Sequence, residues 1–373
     1  MIQGLKVIPS TIFVTYVIML ISLLNSVIMV NFYGLSLRGE LALFILLPSI
    51  IAGSAAAFCE EQYALSRMNG RYHTLLFLIF FIIFIILVIF SERDFRSLII
   101  IYILINIEYA VASLLIIFLK YDLFYYNLIR FLHPTIFILL NFYPSGISSI
   151  AGNPLVFNYT FSGFIVLLFA VIALYWKNLK ILNDENKSTK PKITKNVLFN
   201  SFYITRPATS SIDKILLSSL LPSDGFGAYV TLSNIFSLSN PLLNTILQFS
   251  FFNHIKKISS GVLNLIWVIC AVIVISSLTF VDHLLYDNQL ENHFELLYFI
   301  GLFSIINLNI RHLENKTIKI VSESYLPLFK ATAVIITLVF VNWNAKFASI
   351  FILIMAILYL YQLSKSSKEL ISK

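Results

Sequence analysis

Between positions 203 and 214 the chain reads YITRPATSSIDK, a run of chemistry-bearing side chains inside an otherwise apolar stretch. On a helix Arg206, Ser210 and Lys214 fall at i, i+4 and i+8, with Tyr203 and Asp213 flanking the same side. One face is then cationic and hydroxyl-bearing. Such a face suits a phosphate or diphosphate, since Arg offers a rigid fork of donors and Lys a compact charge. Pro207 removes a backbone donor and can open the helix locally, which makes it the candidate hinge. A plainer reading has Lys214 snorkelling to an interface and Arg206 paired with a carboxylate for packing. Both readings stand at this point.

A second candidate is Glu108, in the stretch INIEYAVAS, the one carboxylate deep in an apolar run of the first half. It reads as an ion-coupling or gating group, as a charge partner of Arg206, or as a structural pair. Asp213 carries the same ion-coupling or gating expectation. Gln248, with Asn234, Asn240 and Asn244, makes a further stretch polar at roughly helical spacing. These amides could bind sugar hydroxyls or bond between helices. Arg38 with Glu40 reads as an outer gate or, more simply, as an exposed ion pair worth little. Glu60 and Glu61 read as interfacial. His133 and His254 stand alone, and no His or Cys spacing suggests a metal site. Cys59 and Cys270 read as small core residues.

The elements that must hold these groups are set by composition. Of 373 residues 59% are apolar and 12% charged, with a mean hydropathy of +0.89. An ordinary soluble domain is about 45–50% apolar, so this chain reads as an all-α polytopic membrane protein. Taking about 20 apolar residues per span, spans fall near 9–31, 41–60, 74–90, 98–119, 128–143 and 155–175. Six more fall near 197–221, 228–251, 261–281, 296–312, 317–341 and 347–363. His133-Pro134 interrupts the fifth, and Pro327 with Glu323 and Lys330 roughens the eleventh. The opening apolar run is too long for a signal peptide and lacks a small-x-small cleavage site, so it reads as a retained span.

That is 12 transmembrane helices in two six-helix bundles: residues 1–176, a linker at 177–195, and residues 196–373. With both termini cytoplasmic, 20 of the 26 basic residues lie in inside segments and 4 in outside ones. The other two are Arg206 and Lys214. This asymmetry is what the positive-inside rule demands, and it explains the net charge of +8 without nucleic acid. The halves also share punctuation. YGLSLRGEL at 33–41 and LPSDGFGAY at 221–229 read as glycine-bearing outside turns, each followed by a proline, Pro48 and Pro241, and a basic inside loop. This is a weak internal repeat of the parallel kind seen in transporters.

The run NFYGLSLRGELALFILLP resembles the start of Wzx-type O-antigen and polysaccharide flippases of the MOP (MATE-like) superfamily. The string RPATSSIDKILLSSLLPSDGFGAYVTLSNIFSLSNPLLNTILQFSFFNHIKK resembles that family's seventh and eighth spans. The resemblance covers two segments and the twelve-span layout. It implies a bacterial inner-membrane flippase that moves an undecaprenyl-diphosphate-linked oligosaccharide from the cytoplasmic to the periplasmic leaflet by alternating access. Its partners would be the bilayer and the polymerase and glycosyltransferases of the same pathway, with no cofactor beyond a coupling H+ or Na+. Substrate contacts would fall to Tyr203, Arg206, Ser210, Lys214 and Gln248.

The rival classes are a small-molecule exporter of the same fold and a membrane-embedded polymerase or glycosyltransferase. The exporter should carry acidic cavity residues, yet the first span holds no carboxylate. The enzymes usually carry a large outer loop, whereas the outside loops here are short. A G-x-x-x-x-G-K-[ST] phosphate loop is also missing from the sequence.

Overall fold

In a computed structural model the described residues are 2–64, 95–142, 153–176, 211–237 and 260–298. Single residues or short runs between 78 and 89, at 243 and between 300 and 312 are also described. These are almost entirely helical: α1 Ile2–Ala64, α2 Phe95–Tyr121, α3 Leu123–Phe142, α4 Pro154–Trp176, α5 Ile212–Leu220, α6 Ser223–Ser237 and α7 Ser260–Leu285, then a 3₁₀ helix at Glu291–Leu296. Five of the helices are long and apolar enough to cross a membrane. Many of their large apolar side chains are exposed, including Phe164 and Leu168 on α4 and Leu265, Val272 and Ile273 on α7. A helix with apolar residues both inside and outside is in contact with lipid, not water. The chain is therefore a membrane protein built from helices. The expected linker at 177–195 and the spans expected at 317–341 and 347–363 lie outside the described residues.

By internal contacts the chain forms two units, Met1–Glu40 with Ile212–Lys373, and Leu41–Ser211. In the second unit α2, α3 and α4 pack on one another. Phe118, Ile129, Val166, Ala170 and Ala173 form their buried core. Small residues on α4 let the helix backbones approach, which is how membrane helices gain packing without a hydrophobic drive between them. The links are short and capped. Asp122 alone joins α2 to α3, its Oδ1 accepting the amides of Phe124 at 3.2 Å and Tyr125 at 3.4 Å. Asn153 opens α4 by accepting the Leu155 amide at 2.9 Å, with Pro154 at the first helical position, where no donor is lost. Pro134 sits inside α3 without ending it. The interruption expected at His133-Pro134 is absent because flanking turns are intact and Thr135 Oγ1 bonds back to the Phe131 carbonyl at 2.8 Å.

The expected outside turns at 33–41 and 221–229 are corrected by the structure. Helix α1 is broken at one residue, Gly34, whose φ of 82° and ψ of 166° only glycine adopts without strain, and it resumes at once. The 221–229 segment is likewise helical from Ser223, so the break narrows to Leu221-Pro222.

Within the first unit these two places meet. A Cβ on Gly39 would lie 1.9 Å from the Ser223 carbonyl oxygen, and one on Gly227 would lie 2.0 Å from that of Leu35. Gly39 is four residues after Leu35, and Gly227 four after Ser223. Such reciprocity marks a local two-fold relation. Carried along the chain, it sets Gly34 against Pro222 and the buried Asn25 against the buried Asp213.

Candidate functional site

Glu108 stands at the middle of α2, with roughly 20 Å of helix on either side. Its Oε1 accepts a hydrogen bond from the Tyr159 hydroxyl of α4 at 2.6 Å. Tyr159 is itself fixed at several points. Its ring meets His133 of α3 edge-on at 4.8 Å and Phe137 at 5.5 Å, nearly perpendicular to both. Its backbone carbonyl accepts the Ser162 hydroxyl at 2.8 Å and a hydrogen bond from the His133 ring.

The tautomer of His133 follows from counting protons. Its Nε2 lies 3.2 Å from Ser162 Oγ, whose single proton already goes to the Tyr159 carbonyl. A carbonyl oxygen can only accept, so the ring nitrogen facing this group carries the hydrogen. Gly163 makes the arrangement sterically possible. A Cβ there would lie 2.9 Å from Ile107 Cγ2 and 3.8 Å from His133 Nε2. Farther along α4, Asn158 Nδ2 donates to Asn141 Oδ1 at 2.9 Å and closes the α3–α4 contact.

In the first unit Asp213 is buried on α5, and its Oδ2 accepts the Tyr229 hydroxyl of α6 in a very short bond. Its Oδ1 is buried and has no hydrogen-bond partner. Lys214, next along α5, is half-buried. Tyr203, Arg206, Pro207, Ser210 and Gln248 lie outside the described residues, as do Asn240, Asn244 and His254, so the cationic face at 203–214 is described only from position 211.

Arg38 departs from the exposed ion pair expected of it. It is 7% exposed, and beside it lie Tyr286, at 0%, and the region of Asp282, at 1%. Asp282 closes the turn after α7. Its backbone carbonyl accepts the amides of Tyr286 and Asn288, and its Oδ1 accepts that of Leu290 at 3.2 Å. Asp287 and Asn288 take left-handed backbone there, as their types tolerate. Beyond the end of α7, burial pushes the Tyr286 phenol up to about 12, with Ser26 and Arg38 pulling weakly the other way.

Glu108 was legible from sequence as a lone intramembrane carboxylate, whereas Tyr159 and Ser162 were not singled out. The available signal was the polar run Asn158-Tyr159-Thr160, then Ser162-Gly163, inside a segment otherwise as apolar as any in the chain. His133 looked isolated because its partners are 26 and 29 residues away on another helix. No group of three or more His, Cys, Asp or Glu occurs among the described residues.

No family model, curated protein or solved structure matches this chain.

Proposed function

We propose that this protein is a transporter that carries an undecaprenyl-diphosphate-linked oligosaccharide from the cytoplasmic to the periplasmic leaflet of a bacterial inner membrane by alternating access. It works without catalytic residues or a cofactor, with Glu108 as its ion-coupling or gating carboxyl. The observation that carries a transport reading is the Glu108–Tyr159 hydrogen bond, an ionisable group held in the middle of an apolar three-helix group. Ionisable groups at that depth are costly, and transport pathways are where membrane proteins retain them.

The substrate class rests on the cationic run from Arg206 to Lys214 and on the likeness of residues 31–48 and 206–257 to Wzx-type flippases. An anion-seeking face fits a lipid diphosphate better than the cationic substrates of exporters with the same layout.

Deleting the protein in its host should leave full-length lipid-linked repeat units trapped in the inner leaflet. Single unpolymerised units reaching the outer leaflet would mark a polymerase instead. Arg206→Ala and Glu108→Gln should each abolish surface polysaccharide with the protein still in the membrane; unchanged polysaccharide in both removes these site assignments.

A further inference from the structure

We propose that the group formed by Glu108, Tyr159, Ser162 and His133 binds a proton and is built to refuse sodium. This deepens the transport reading of Glu108 and rests on it only for what the bound proton would drive.

A hard cation is held by several oxygens whose lone pairs face it. Around Glu108 the polar groups are turned the other way. The Tyr159 hydroxyl spends its proton on the carboxyl and so presents hydrogen there. The Tyr159 carbonyl, the nearest backbone acceptor named in the cluster, is taken by the Ser162 hydroxyl and by His133. His133 presents N–H on that side, for the reason given above. The other faces add no acceptor. Phe137 flanks Tyr159 from α3, and Ile107 closes on Gly163. On the next turn of α2, Tyr109 packs with Ala52, Ala55, Phe44, Leu47 and Ile51 of α1, none of them titratable. Arg130 of α3 is engaged over the Tyr126 ring at 5.2 Å. One carboxylate with donors around it cannot assemble a coordination shell for a metal cation, but it can take up one proton.

The balance is simple. A proton adds to the Glu108 carboxylate and gives the neutral acid, while Tyr159 keeps its own hydrogen and continues to donate. The local charge changes from −1 to 0, with no electron transfer or co-reactant. His133 and Ser162 act as positioning residues, since both reach Glu108 only by fixing Tyr159.

The test is difference infrared spectroscopy on the purified full-length protein in lipid nanodiscs, following the carboxylic acid carbonyl band against pH in potassium and again in sodium. The expected result is one buried carboxyl band that titrates identically in both salts. A midpoint that falls in sodium means the cation competes for the carboxylate and overturns the proposal, with no variant needed. Glu108→Gln should remove the band, and its persistence would place the titrating carboxyl elsewhere and overturn the assignment. Tyr159→Phe keeps the carboxyl but should move its midpoint, because the only hydrogen bond found on Glu108 is gone; an unmoved midpoint refutes the role of Tyr159. If the band behaves as expected yet deletion traps no lipid-linked units, the transport reading fails while the proton site stands.

Discussion

At the residue scale the unusual groups are ionisable side chains with one partner each and few others in reach. Glu108 has Tyr159, Asp213 has Tyr229, and the Tyr286 phenol sits among Ser26, Arg38 and Asp282. Tyr286 gives a clean pH prediction because it lies beyond the end of a span. An ordinary tyrosine ionises near 10 when unfolded, and burial pushes this one up to about 12. A group whose folded value is the higher stabilises the fold fully below about 10 and loses that contribution as pH rises through about 12. Detergent-solubilised protein should therefore lose thermal stability between those values. Tyr286→Phe should flatten that part of the stability profile, and an unchanged slope would show that another group sets it.

At the element scale three glycines decide how closely helices pass, and the identity of the atom in the way ranks their substitutions. Opposite Gly39 and Gly227 it is a backbone carbonyl that cannot rotate aside, so Gly39→Ala and Gly227→Ala should each cost more than the roughly 1–3 kcal/mol usual for overpacking. Opposite Gly163 it is a methyl of Ile107, which can give a little, so Gly163→Ala should cost within that range. Thermal unfolding in detergent should show both crossing variants below Gly163→Ala; the reverse order would contradict the crossing. The Gly163 variant should also weaken the Glu108–Tyr159 contact, since any relief separates α2 from α4. This scale also shows why two turns expected from the sequence are kinks. Glycine and proline signal a break, but one residue with positive φ can supply it while hydrogen bonding resumes on either side.

For the whole molecule, hydropathy and charge asymmetry predict a checkable orientation. Single cysteines placed in the segment 177–195 should be labelled by an impermeant thiol reagent only from the cytoplasmic side, and one replacing Asp287 only from the outside, in a background with Cys59 and Cys270 replaced. Labelling of both from the same side would overturn the two-sided arrangement.

Residue types alone determined that the chain is a helical membrane protein, because apolar runs of span length must satisfy their backbone internally and helices do so locally. They also singled out Glu108, since a carboxylate in such a run is conspicuous whatever surrounds it. What surrounds it was not legible. Tyr159, Ser162 and His133 come from helices 25 or more residues away in the chain, and their rotation about their axes is set by packing around Ala170, Ala173 and Gly163, which no single segment encodes. Tertiary structure alone decided that Arg38 is buried beside Tyr286, and that residues 33–41 and 221–229, alike as strings, touch each other through Gly39 and Gly227. Similar sequence permits two segments to take similar shape; only the packed fold determines whether those shapes meet.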